Sequence, residues 1–155
     1  MEHGSGHNEG GGPRAGLSPE EAWRAGTYRL LGNLLGAPPG GEVLTRLGGL
    51  ARAVEDEDTP MLAAWRALGE ASAAAEAAAV DDEFHDLFIG LGRGELVPFA
   101  SWYLTGMLMD KPLVLLRRDL DALGFERRPD NREPEDHAAA LCEVMAHLAE
   151  QGDPL

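Results

Sequence analysis

The segment Glu133-Pro134-Glu135-Asp136-His137 puts three carboxylates and a titratable imidazole within five residues. Carboxylates can grip a guanidinium through two parallel hydrogen bonds, and an imidazole can bind metal or carry a proton. Part of the pattern is an ordinary helix start. Proline suits the first helical position, and acids in the first turn meet the positive end of the backbone dipole. On that reading Glu133 is the N-cap of the last helix, Pro134 its first residue, and His137 adds nothing to capping. Glutamate caps less well than Ser, Thr, Asp or Asn, by about 1 kcal/mol. The segment is therefore a candidate binding site as well as a helix start. A second candidate is Pro98-Phe99-Ala100-Ser101-Trp102-Tyr103, with three aromatics in five residues, behind the glycine-punctuated Gly90-Leu91-Gly92-Arg93-Gly94. Aromatics at a helix entrance serve equally as core or as the lining of a groove for an apolar peptide.

Other chemistry finds less support. A phosphate loop needs a preceding strand and a closing Gly-Lys-Ser/Thr, whereas Gly94 runs on into Glu95-Leu96. A di-iron bundle needs two inward Glu-x-x-His pairs, and the nearest match is a single Asp82-x-x-His85. Glu133/His137 and Glu143/His147 have the spacing of helical ion pairs. The single cysteine, Cys142, falls in an apolar stripe and excludes a disulfide framework or a Cys-rich metal site. No catalytic constellation, metal site or cofactor is expected. Thirteen Lys+Arg against twenty-seven Asp+Glu leave a charge of −14, which excludes the basic stripe that nucleic acid requires and favours a basic partner.

The elements that position these residues read as helices throughout. Met1 to Gly16 holds six glycines and almost no hydrophobe, so residues 1–17 are expected to be a disordered tail. Ser18-Pro19-Glu20-Glu21 is a capping box, and Trp23, Thr27, Leu30, Leu31 and Leu34 form the expected buried face of the first helix. A second helix fits Val43 to Val54, followed by the acidic turn Glu55 to Asp58. Thr59-Pro60 opens a helix that runs through the alanines from Ala71 to Ala79, with Asp81 or Asp82 capping the next. Ser101 to Met109 reads as helix. Lys111-Pro112 restarts another, with Leu113, Leu116, Leu120 and Leu123 on one stripe and Gly124 as its terminator. Glu126 to Arg132 is a linker, and Ala138, Leu141, Cys142, Met145 and Leu148 face inward on the last helix. No segment alternates apolar and polar residues as a strand would. The expectation is one all-α domain over residues 18–155, a bundle of six to seven helices.

Taken together, Phe88-Ile89-Gly90-Leu91-Gly92-Arg93-Gly94-Glu95-Leu96-Val97-Pro98, Ser101-Trp102-Tyr103 and Glu133-Pro134-Glu135-Asp136-His137 resemble the TorD/DmsD (NarJ-like) family of redox enzyme maturation chaperones. The resemblance runs from about Glu20 to the end. It implies an all-α, cytoplasmic, non-enzymatic protein. Such a protein binds the twin-arginine signal peptide, or the apo form, of a molybdenum oxidoreductase and delays export until molybdopterin is inserted. It implies that Asp136 and His137 take part in signal-peptide binding, that Glu133 and Pro134 belong to a hinge near residues 126–134, and that Gly90, Gly92, Pro98, Ser101 and Tyr103 form the second motif. Trp102 lies in that motif without being required by it. On this basis Asp136 and Glu133 are expected to pair with the peptide's arginines. Phe84, Phe88, Trp102 and Tyr103 are expected to line its groove. Asp136→Asn should then weaken binding by a few kcal/mol. Family members continue for two or three helices beyond this point. The expectation is therefore either a truncated chain or a homodimer that exchanges helices at the hinge to cover Leu141, Met145 and Leu148. Two other readings stay open: a generic helical protein–protein adaptor, and a small metal- or nucleotide-dependent enzyme built on His85, His137 and Glu143.

Overall fold

Proline and hydroxyl caps set where the helices begin. The Ser18 hydroxyl accepts from the Glu21 amide at 3.2 Å while the Glu21 carboxylate accepts from the Ser18 amide at 2.7 Å. Thr59 does the same for Leu62 at 3.3 Å. The computed structural model describes residues 16–53, 59–90, 94–127 and 133–152. The glycine-rich tail before residue 16, the acidic turn 55–58, Leu91, Gly92 and linker residues 128–132 lie outside them. The helices are α1 (Pro19–Gly36), α2 (Gly41–Gly48), α3 (Leu50–Ala53), α4 (Pro60–Ala74), α5 (Ala77–Phe84), α6 (Ala100–Thr105), α7 (Lys111–Ala122) and α8 (Ala138–Gln151). α5 continues directly into a π-helical turn, His85–Ile89. Among the described residues there is no strand, only one isolated antiparallel bridge between Phe99 and His137. The fold is all-α, as expected.

α1 lies along α8, α2 and α3 pack on α4, and α6 packs on α7. The seam between α1 and α8 differs from the expected one. α1 buries Ala25 and Gly32, while Trp23 and Leu31 stay exposed. A Cβ at Gly32 would meet the Ala139 carbonyl oxygen at 3.3 Å and the Cys142 Cβ at 3.5 Å. Small residues let two helix backbones approach, and the larger side chains are then turned aside. Trp23 leans edge-on against Trp65 of α4, with ring centroids 5.7 Å apart. Leu148 is buried in this single chain, and Leu141 and Met145 are half-buried, so α8 does not present the open apolar face expected of it. At the seam's outer end Arg29 grips Glu150 with both Nε and Nη2, which raises the arginine's affinity for its proton and lowers the carboxyl's.

Three other boundaries depart from the sequence pattern. The alanine run breaks at Ala75 and Glu76, both extended, so α5 is preceded by Glu76 rather than capped by Asp81 or Asp82. The Val43-to-Val54 helix divides at Gly49, and Val54 is not described. α6 stops at Thr105 because Gly106 turns left-handed, and Met109 is also left-handed with its amide on the Ser101 hydroxyl at 3.3 Å. The end of α7 follows the pattern: Gly124 has φ +79° and the Phe125 amide reaches back to the Leu120 carbonyl at 2.9 Å.

Candidate functional site

The two sequence motifs meet. α6 starts behind Phe99, whose side chain makes no cap hydrogen bond. The first amides of a helix have no partner within it, so they must find one elsewhere. Here both come from one residue 35 positions away: the Ser101 amide donates to Asp136 Oδ2 at 2.9 Å, and the Ala100 amide donates to the Asp136 carbonyl at 3.0 Å. In return the Ala138 amide donates to the Pro98 carbonyl at 2.8 Å. The Phe99 and His137 rings meet edge to face at 5.0 Å. Asp136 is 2% exposed and Ser101 fully buried.

His137 has the capping role that the sequence pattern denies it. α8 begins at Ala138, four residues later than a Pro134 start, and His137 is its N-cap, with Nδ1 accepting from the Ala139 amide at 3.1 Å. As an acceptor there Nδ1 carries no hydrogen, and Nε2 lies 3.9 Å from Glu133 Oε2. Pro134 belongs to the turn before α8, its carbonyl accepting from the His137 amide at 3.2 Å.

The expected aromatic groove is not assembled as foreseen. Phe84 and Phe88 stack on each other at 4.9 Å across the start of the π turn, Tyr103 is largely exposed, and Trp102 is half-buried. Gly94 explains the glycine there: a Cβ would come within 2.4 Å of the Leu87 carbonyl oxygen. Asp136, expected to face a client's arginines, is placed otherwise in this chain. Its carboxylate is turned into the protein, onto the first turn of α6.

The hollow beside this junction lies elsewhere, between α1, α7, α8 and the turn preceding α8. It measures about 760 Å³ and is floored by Leu120, Phe125, Ala140 and Val144. Among the described residues, Asp121, Glu126, Glu133, Glu135 and Glu143 line it together with Arg29, Arg117 and Arg127, five carboxylates to three guanidinium groups. Two of those arginines are engaged by one acid: Glu135 takes Arg117 at 2.8 Å and Arg127 at 3.7 Å. Burial pushes the Glu135 carboxyl up, but the hydrogen bond from Arg117 and the charge of both arginines outweigh it and hold it below its ordinary value. Arg127 also donates to the Glu133 carbonyl at 3.1 Å. His147 packs edge-on against Phe125 at 5.6 Å.

Of the expected site residues, only Glu133 lines this hollow. Pro134 and Asp136 hold the turn behind it, and Pro98, Ser101 and His137 hold that turn to α6. Phe125 and Arg117 were not singled out as binding residues, Glu135 entered only as part of the Glu133–His137 segment, and Glu143 only in the metal- or nucleotide-dependent alternative. Phe125 carried a local signal, as the contact behind Gly124, whereas Arg117 reaches the hollow through tertiary packing. Among the described residues no three of His, Cys, Asp and Glu are grouped to hold a metal, so His85, His137 and Glu143 do not form a centre. Burial alone raises the Cys142 thiol, which makes it a poor nucleophile.

Comparison with known proteins agrees with the two motifs. The chaperone protein TorD of Vibrio cholerae serotype O1, in both classical Ogawa and El Tor Inaba strains, is 40% identical over 68 residues, 43% of this chain. The match spans about a third of those relatives, 31% of their length. No solved structure matches. Residues 54–154 fit the profile described as nitrate reductase delta subunit, nearly two-thirds of the chain, including both motifs and α8. This chain is a member of the nitrate reductase delta subunit family, the NarJ/TorD lineage that its paired motifs resemble.

Proposed function

We propose that the chain is a non-enzymatic, cytoplasmic chaperone for a molybdenum oxidoreductase. It binds the apo-enzyme and its twin-arginine signal peptide and delays export until the molybdopterin cofactor is in place. The observation that carries this reading is the hollow between α1, α7 and α8. Among the described residues its lining carboxylates outnumber its guanidinium groups by two, beside the apolar Leu120, Phe125 and Val144. A signal peptide offers the complementary pair, a basic start and an apolar continuation. Family membership and the TorD relatives support the same client class. Glu133 and Glu143 meet the arginines, and residues 18–155 act as one chaperone domain with its hinge near residues 126–134. No helix among the described residues is long and apolar enough to cross a membrane.

Calorimetry against a synthetic peptide with an Arg-Arg pair ahead of an apolar stretch tests this. Binding should disappear when the two arginines become alanines. Equal binding of both peptides would overturn the reading. The exposed apolar face formed by Leu104, Met107, Met109, Val114 and Leu115 favours a second reading, a general helical adaptor whose client docks there without needing arginine. Capture of an oxidoreductase from the native cytoplasm, retained only with its Arg-Arg pair intact, separates the two.

A further inference from the structure

The buried carboxylate of Asp136 has one oxygen on the Ser101 amide, while its Oδ1 is buried with no hydrogen-bond partner among the described residues. Resting on the reading of the hollow as the client site, we propose that Asp136 is a positioning residue of that site. It fastens the turn before α8 to the start of α6 and thereby fixes Glu133 and Glu135 at the hollow's rim.

The turn has two working sides. On one, Asp136 supplies both its side chain and its carbonyl to the first amides of α6, and Ala138 returns a hydrogen bond to Pro98. On the other, Glu135 holds Arg117 of α7, and the Glu133 carbonyl takes Arg127. Asp136 is covalently next to Glu135, so the α6 contact and the rim cannot move independently. Without the Asp136 carboxylate the α6 side keeps only its two backbone hydrogen bonds and the Phe99–His137 ring contact, and the arginine side, where Arg117 is about half exposed, carries more of the turn. Glu133 then loses its fixed place at the hollow, and a bidentate grip on a client arginine depends on where that carboxylate is held.

The unpartnered oxygen supplies the discriminating variant. Capping needs one acceptor, and an asparagine carbonyl provides it without leaving a buried charge uncompensated. Asp136→Asn should therefore keep affinity for the Arg-Arg peptide within about twofold of the parent. Asp136→Ala leaves the Ser101 amide without its acceptor, and affinity should fall about tenfold or more. Amide exchange gives a second readout that needs no client. The hydrogen-bonded amides of Ala100, Ser101, His137 and Ala138 should be protected in the parent and in Asp136→Asn, and should exchange faster together in Asp136→Ala. Equal loss of binding in both variants would mean that Asp136 touches the client directly, and would overturn the proposal. Unchanged exchange of the His137 and Ala138 amides in Asp136→Ala would overturn it too. If the parent itself fails to bind the peptide, the functional reading falls, while the exchange comparison still decides whether Asp136 positions the turn. If Asp136→Ala does not fold, faster exchange of the same amides in Asp136→Asn would overturn the proposal by itself.

Discussion

Where α6 meets α8, the buried groups are polar: Ser101, Asp136 and His137 each lie below a tenth exposed. A few residues further along, the end of α6 and the turn that follows it do the reverse and leave Leu104, Met107 and Met109 each more than 60% exposed. Polar side chains inside are tolerated only when they are hydrogen-bonded, and those at the junction cap two helices at once. Exposed leucines and methionines bury little area in this chain, and large exposed apolar groups are what contact surfaces are made of. The residues with evident chemical capability are thus spent on architecture, while those with none face the solvent. On the proposed reading the motif residues hold the site in place and leave the contacting to their neighbours.

Replacing an apolar residue on the inner side should have the largest effect. Leu113, 1% exposed on α7, loses its packing in Leu113→Ala, and unfolding free energy should drop by about 3 kcal/mol. A loss below about 1 kcal/mol in urea denaturation would show that α7 does not use this face as its core. Next comes the polar junction. His137→Ala removes the cap of α8 and the Phe99 ring contact and should cost about 1.5 kcal/mol. His137→Asn should recover about 1 kcal/mol of that, because it keeps a cap acceptor. Failure of asparagine to recover anything would assign the effect to the ring instead.

A smaller effect separates the two sides of the hinge turn by pH. Glu135 has its carboxyl lowered in the folded state from an ordinary value of 4.5. The folded form therefore binds the proton less readily than the unfolded one. The associated stability is present above the ordinary value and is lost as pH falls through the folded one. Glu135→Gln should accordingly be less stable than the parent near neutrality and should converge with it as pH falls well below 4.5. Urea midpoints at about pH 6 and about pH 3 check this, and a constant gap would detach Glu135 from the arginines.

Why some of this was legible and some was not has a physical reason at each position. Ser18, Thr59 and Gly124 act on residues three or four away, so their signals are local and the helices they bound were found. The all-α class followed from such signals. The break at Ala75 left no trace, because a run of alanines has no apolar stripe to lose its phase. The buried face of α1 was misjudged because hydrophobic periodicity rewards large residues, whereas a close seam with α8 selects Ala25 and Gly32. His137 was overlooked as a cap because its acceptor is a ring nitrogen and not the hydroxyl or carboxylate of the usual pattern. The junction itself was visible only as two motifs with a shared resemblance. That Asp136 caps α6 depends on two amides 35 or so positions away, which no window along the chain contains.

The weakest effect on stability belongs to the outer face, and it bears most directly on the comparison. Leu104, Met107 and Met109 changed together to serine should alter unfolding free energy by no more than about 0.5 kcal/mol per residue. Exposed side chains have few contacts to lose, and the unfolded chain gains nearly the same solvation as the folded one. Self-association and binding of an apolar dye should both decrease, since each depends on the patch and not on the fold. A destabilisation above about 2 kcal/mol in total would mean that these side chains are covered in solution. The face would then be core, and the contrast with the polar junction would disappear. Unchanged stability with weaker retention of the native client would instead make this face a second point of client contact, distinct from the carboxylate rim because it carries no charge to read an arginine.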